Sequence, residues 1–159
     1  MNTVEIITMP QSLAKIYLHI IFSTKDRIPF LADKKVREET HAYLFGACRE
    51  LDVPPVIVGG VADHVHLACS MSRTLTVADF VRDIKRTSSS WLKQQSEGTV
   101  NFHWQNGYGV FSISPSHVDA LKEYILCQEE HHQEISFQDE FRQIAQKYGV
   151  KYDERHAWD

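Results

Sequence analysis

Two pairs of side chains have the types and spacing to do chemistry: His64-Val65-His66, and Tyr124 with Gln128 four residues later. Strand side chains alternate faces, so on a strand His64 and His66 point the same way and Val65 the other. Two imidazoles side by side make a metal-binding pair. The apolar flanks Val61 and Leu67-Ala68 place the pair on a central strand, where an unpartnered histidine is costly. On a helix, Tyr124 and Gln128 lie one above the other. A tyrosine oxygen can act as a covalent nucleophile, and a glutamine carbonyl suits a hard cation such as Mg²⁺ or Mn²⁺. A divalent ion held by His64, His66 and Gln128 keeps positions open for a phosphate oxygen, polarises that phosphate and stabilises a departing 3′-oxygen. Attack by Tyr124 on phosphorus then leaves a 5′-phosphotyrosine link and a free 3′-hydroxyl. The phenol has a pKa of about 10 in water, and a nearby cation helps to form the phenolate. Because the link conserves the phosphodiester energy, rejoining needs no nucleotide cofactor. Each pair also has an ordinary reading, a solvated strand face for the histidines and an amphipathic helix for Tyr124 and Gln128.

The surrounding elements must position these groups. Ala14–Ser23 is rich in β-branched and aromatic residues and reads as a strand. Asp33–Leu51 has apolar residues at helical spacing and stops at Pro54-Pro55. Val56–Gly59 and His64–Met71 read as strands joined through Gly59-Gly60. Thr76–Gln95 is a second helix, with Val77, Phe80, Val81, Ile84, Ser88, Trp91 and Leu92 as its buried stripe. Tyr108–Ser114 is a fourth strand, and Gly107 and Gly109 beside it suggest a bulge or a close backbone approach. Ser116–His132 is a third helix opened by a capping box of Ser116 and Asp119. Phe137–Tyr148 is a fourth helix ending at Gly149. The order β-α-β-β-α-β with C-terminal helices predicts an α+β fold, a ferredoxin-like split βαβ with an antiparallel sheet and helices on one face.

At 159 residues, 43% hydrophobic and 24% charged, the chain reads as one globular domain with a real core. It has no apolar run of membrane-spanning length. Met1–Pro10 lacks a basic region followed by an apolar run, so a cytoplasmic protein without a secretory leader is expected. Cys48, Cys69 and Cys127 are too few and too widely spaced for a disulfide framework and read as buried free thiols. The net charge of −4 is unevenly spread: residues 1–122 carry 13 Lys/Arg against 12 Asp/Glu, and residues 123–159 carry 4 against 9. Phosphate binding depends on local positive patches. Candidate DNA contacts are Arg82, Lys85 and Arg86 on the second helix, with Lys25 and Arg27 after the first strand; each also reads as part of a solvated charged face. Trp104 and Tyr108 suit stacking on unpaired bases or core packing. His131 and His132 read as exposed.

GGVADHVHL (Gly59–Leu67) resembles the HUH motif of single-tyrosine transposases of small bacterial insertion sequences, and KEYILCQEEHH (Lys122–His132) resembles their Tyr-x-x-x-Gln helix. HIIFSTKDRIPFL (His19–Leu31), SSSWL (Ser88–Leu92) and WQNGYGVFSIS (Trp104–Ser114) are similar to segments around those motifs. The nearest subgroup is the REP-associated tyrosine transposases, which carry a similar Trp-Gln-x-Gly-Tyr-Gly stretch. The resemblance runs from about Ala14 to Asp159. It implies a catalytic core over residues 14–134, with a C-terminal helix and tail over 135–159, and Mg²⁺- or Mn²⁺-dependent cleavage and strand transfer on single-stranded DNA beside a hairpin. His64, His66 and Gln128 carry over as metal ligands and Tyr124 as nucleophile. A homodimer is also implied, each site combining His64 and His66 of one subunit with Tyr124 of the other. Three alternatives share part of the pattern. A relaxase or replication initiator has HUH and tyrosine, but relaxases place the tyrosine first and both classes carry further domains. A non-catalytic hairpin-binding regulator keeps the fold without turnover. A metal hydrolase uses His64 and His66 to activate water and leaves Tyr124 dispensable.

Overall fold

Strand β1 (Tyr17–Ser23) alternates between two apolar environments, and that alternation sets the plan of the molecule. The computed structural model describes residues 12–155, 157 and 158; Met1–Pro10, the segment read above for a leader, lies outside the described residues. Helix α1 (Lys34–Glu50) follows, then β2 (Pro55–Gly60), β3 (His64–Ser70), α2 (Val77–Leu92), β4 (Gly109–Ile113), α3 (Val118–Leu126), α4 (Gln128–His131) and α5 (Phe137–Lys147). The strands form one antiparallel sheet in the order β2-β3-β1-β4. This is the expected split βαβ arrangement, with β3 central and the two histidines of the motif on it.

Local chemistry fixes the helix starts. The side chains of Asp33, Thr76 and Ser136 accept the backbone N–H three residues on, each at 3.1 Å, at the heads of α1, α2 and α5. At the far end of α5, Gly149 takes a left-handed φ of 64°, as a helix C-terminus favours.

On one sheet face Leu18, Ile20, Phe22, Val65, Leu67 and Cys69 pack against Leu44 and Cys48 of α1 and Phe80, Val81 and Ile84 of α2. Burying each of the large side chains contributes about 1.5–3 kcal/mol. The C-terminal helices cover the opposite face: Ile125 of α3 packs on Ile57 and Ala68, and Phe137 of α5 joins Ile21 and Phe111. Because both faces are covered, all seven residues of β3 are buried.

Two sequence expectations need correction. The third helix is not continuous from Ser116 to His132. A 3-10 turn occupies Pro115–His117, α3 begins at Val118, and Cys127 (φ −93°, ψ 16°) breaks the helix before α4. The Ser116 hydroxyl pairs with Ser114 at 2.8 Å and lies 3.3 Å from His117 Nδ1, so it makes no capping box. Cys48 and Cys69 are buried free thiols as expected, but Cys127 sits in that break, half-buried, with its Sγ 3.6 Å from Glu123. No helix among the described residues is long and apolar enough to cross a membrane.

Candidate active site

The pleat of β3 turns His64 and His66 toward the face covered by α3, α4 and α5, while Val65 enters the opposite core. Helix α3 brings Tyr124 to this face and α4 brings Gln128. Gly59 allows the approach: a Cβ there would lie 2.7 Å from Ile125 Cγ2 and 2.8 Å from its carbonyl oxygen. The four expected side chains therefore meet within one chain. Gln128 Oε1 is 3.4 Å from His64 Nε2, and the rings of His66 and Tyr124 are 5.8 Å apart.

At their centre stands Glu140 of α5, 1% exposed, which sequence reasoning did not single out. Its Oε1 lies 2.8 Å from His66 Nε2, 3.1 Å from His132 Nε2 and 3.3 Å from His64 Nε2. Its Oε2 accepts the Tyr124 hydroxyl and, at 3.2 Å, the Gln128 amide. A signal was present in the sequence. Glu140 is three residues after Phe137 and four before Ile144, on the apolar stripe of an amphipathic helix, where a carboxylate is rarely buried without partners. His132, expected to be exposed, is instead turned inward, its side chain 7% exposed. It lies four residues beyond Gln128 and so follows the same helical face inward. His131 is 36% exposed, its Nε2 3.6 Å from Glu140 Oε2.

Each inward histidine is anchored at its other nitrogen. His64 Nδ1 donates to Asp63 Oδ1 at 2.7 Å, and His132 Nδ1 donates to the Ile135 carbonyl at 2.9 Å. His66 Nδ1 lies 2.8 Å from Nε2 of His19, a buried β1 residue stacked on it.

Burial lowers His66 to about 4. Burial, then the neighbouring His66, holds His19 well below the usual histidine range, so this ring is neutral and its Nε2 can accept a hydrogen bond from His66 Nδ1. Burial also opposes charge on His64, but Asp63 and Glu140 outweigh it and raise its pKa. The Glu140 carboxyl is pushed up by burial and pulled further down by His132, His64 and His66, so it is ionised. Burial, then the Glu140 charge, lifts the Tyr124 phenol above its usual range. The cluster can hold a divalent cation: one donor atom each from His64, His66, His132 and Glu140 lies within 4.8 Å of all the others. A cavity of about 500 Å³ opens beside Tyr124, lined by His19, His117, Leu121 and Ile144 among others.

The candidate DNA contacts lie elsewhere. Lys85 donates to the carbonyls of Gln105 and Gly107 at 2.8 and 2.6 Å and lies 5.0 Å from the Phe22 ring centre; burial brings its ammonium down to about 8. It therefore braces the loop before β4. Arg82 and Arg86 are exposed, with Asp83 3.2 and 3.7 Å away. Lys25 is exposed, whereas Arg27 donates to the Trp158 carbonyl. Trp104 packs in the core, its Nε1 donating to Ser88 at 2.9 Å, while Tyr108 is 39% exposed. Gly109 marks a close approach, since a Cβ there would lie 2.8 Å from the Phe141 ring.

A family model described as "Transposase IS200 like" matches residues 12–128. No curated protein matches the chain. The fold is shared with the crystal structure of a candidate transposase from Deinococcus radiodurans R1, at TM-score 0.56 and 24% identity, over 76% of this chain and 95% of that one. It is shared too with a REP-associated tyrosine transposase bound to a REP hairpin, at TM-score 0.57 and 12% identity, over 78% of this chain and 73% of that one. The family match ends at Gln128, so His132 and Glu140 lie beyond it.

Proposed function

The chain belongs to the IS200-like transposase family, and on that premise we propose that it cleaves and rejoins single-stranded DNA beside a hairpin through a covalent link to Tyr124. The observation that carries this reading is the meeting, around the buried Glu140, of the Tyr124 hydroxyl, His64, His66 and Gln128. His64 Nε2, His66 Nε2 and Gln128 Oε1 would bind Mg²⁺ or Mn²⁺, which supplies charge to polarise the scissile phosphate. The Tyr124 oxygen attacks phosphorus and gives up its proton, for which Glu140 Oε2 is already the acceptor. The new P–O bond to Tyr124 replaces the bond to the 3′-oxygen, which takes up a proton and leaves as a hydroxyl. A second strand's 3′-hydroxyl reverses the step and restores Tyr124, so no nucleotide is consumed. Arg82 and Arg86, exposed on α2, with Lys25 after β1, would contact DNA phosphates; Lys85 and Arg27 would act mainly by holding the surfaces that carry them. The family resemblance implies a homodimer with shared sites; the meeting of Tyr124 with His66 of its own chain supports a site complete in one subunit.

The test uses a 3′-labelled single strand carrying a hairpin from DNA flanking the gene, incubated with Mn²⁺ and run on a denaturing protein gel. A labelled band at protein mass is expected, absent with Tyr124→Phe or with chelator. Cleavage that survives Tyr124→Phe without an adduct would replace this mechanism with metal-activated water. Hairpin binding without cleavage would make the chain a regulator.

A further inference from the structure

We propose that His132 and Glu140, which lie outside the matched family region, are metal ligands, so that His64, His66, His132 and Glu140 together hold the cation through three imidazoles and one carboxylate. This rests on the reading of the buried cluster as a metal site and extends its ligand set into the C-terminal segment. The first observation is an orphan. His132 Nε2 is buried without a hydrogen-bond partner, although it lies 3.1 Å from Glu140 Oε1. Its Nδ1 proton is given to the Ile135 carbonyl, which leaves a lone pair on Nε2 aimed into the cluster. A buried nitrogen of this kind is costly unless something binds it.

The second observation is the repetition of the same device. His64 gives its Nδ1 proton to Asp63, and His66 Nδ1 faces His19, so three imidazoles present Nε2 to one place. Metal-binding histidines are oriented in this way, with the nitrogen away from the metal held by a carboxylate, a carbonyl or another acceptor. The third observation is the carboxylate. Glu140 is 1% exposed, its Oε1 faces all three rings, and Gln128 and Tyr124 hold its second oxygen. Bonds of about 2.1–2.2 Å place donors about 3–4.4 Å apart around an ion. The donors here lie within 4.8 Å of one another, so a closure of a few tenths of an ångström suffices. Four such ligands leave two positions of a six-coordinate ion for Gln128 and a phosphate oxygen.

Three imidazoles and a carboxylate suit Mn²⁺, Co²⁺ or Zn²⁺, whereas Mg²⁺ prefers an all-oxygen octahedron and dehydrates reluctantly. The experiment measures Mn²⁺ binding to the full chain without DNA, by loss of the free-ion paramagnetic resonance signal, with the metal-dependent rise in Tm as a second readout. The wild type should bind Mn²⁺ and raise its Tm, and millimolar Mg²⁺ should not displace the ion. Glu140→Gln and His132→Ala should each weaken Mn²⁺ binding by about tenfold or more, as should the control His64→Ala. Glu140→Gln keeps the side chain's shape, and a cooperative melt in chelator establishes that each variant is folded. Mn²⁺ binding lost in His64→Ala but unchanged in both Glu140→Gln and His132→Ala overturns the proposal. So does a wild type that binds no Mn²⁺, or one that binds Mg²⁺ as tightly. Since DNA is absent, a failed ligand set leaves the tyrosine mechanism standing. Intact Mn²⁺ binding without any Tyr124 adduct overturns the mechanism alone.

Discussion

His19 shows how much of the site's chemistry is delegated to residues one step removed from it. It reaches neither Glu140 nor Gln128 through a hydrogen bond, yet its Nε2 sits 2.8 Å from His66 Nδ1 and its ring stacks on that imidazole at 5.0 Å. Burial keeps it neutral, so its Nε2 can accept a hydrogen bond from His66 Nδ1, which leaves the lone pair of His66 Nε2 free for a cation. Replacing such an orienting partner typically lowers metal affinity by about 10–100-fold. His19→Leu should do so with Mn²⁺ in a calorimetric titration, and His19→Gln, which keeps an acceptor, should recover part of the loss. Equal affinity in the wild type and His19→Leu would show that His66 needs no support from β1.

At the scale of elements, the site is a three-part closure on one face of the sheet. Strand β3 supplies the fixed wall, α3 with α4 brings Tyr124 and Gln128, and α5 inserts Glu140 between them. The fit of α3 on the sheet depends on the bare backbone at Gly59. An alanine there would put a methyl group against the Ile125 carbonyl, which is backbone and cannot swing aside. Gly59→Ala should therefore cost about 1–3 kcal/mol by overpacking, read from urea denaturation. It should also lower the yield of the tyrosine adduct, because Tyr124 rides on the displaced helix. Unchanged stability together with an unchanged adduct yield would mean that α3 docks more loosely than its contacts indicate. The break at Cys127 belongs to the same closure. It begins a new short helix at Gln128, whose buried side chain reaches both His64 and Glu140.

Across the whole molecule, the two faces of the sheet divide the work. Helices α1 and α2 seal the larger core, with Arg82 and Arg86 exposed on the outside of α2, while the cluster around Glu140 lies on the opposite face. Of the two edge strands, β2 and β4, it is β4 that the exposed Tyr108 precedes and that adjoins the cavity beside Tyr124, through Ser112 and Ile113. The site also closes within one chain. A mixture of His64→Ala and Tyr124→Phe proteins, given time to exchange subunits, should therefore form no labelled adduct. Recovery of the adduct would show that Tyr124 serves the histidines of a partner subunit.

The sequence by itself determined the order of the elements, the pairing of His64 with His66 on a central strand, and the nearness of Tyr124 to Gln128. Each depends on a local period: two residues per repeat for a strand, and nearly four for a helix. The capping residues Asp33, Thr76 and Ser136 are equally local. Distance along the chain hid the rest. Glu140 lies 74 residues from His66, and no periodicity links a strand to a helix so far away. Its place on the apolar stripe of α5 marked it as buried without saying what it would face. The turn that redirects the chain at Cys127 was equally hidden, since helix propensity runs through it and only packing decides where the helix breaks. The charge of Lys85 is visible in sequence, whereas the two carbonyls it binds come together only when the loop before β4 folds back over α2. Tertiary structure made these choices because a buried carboxylate, an orphan imidazole and an inward lysine are tolerable only where distant partners converge on them.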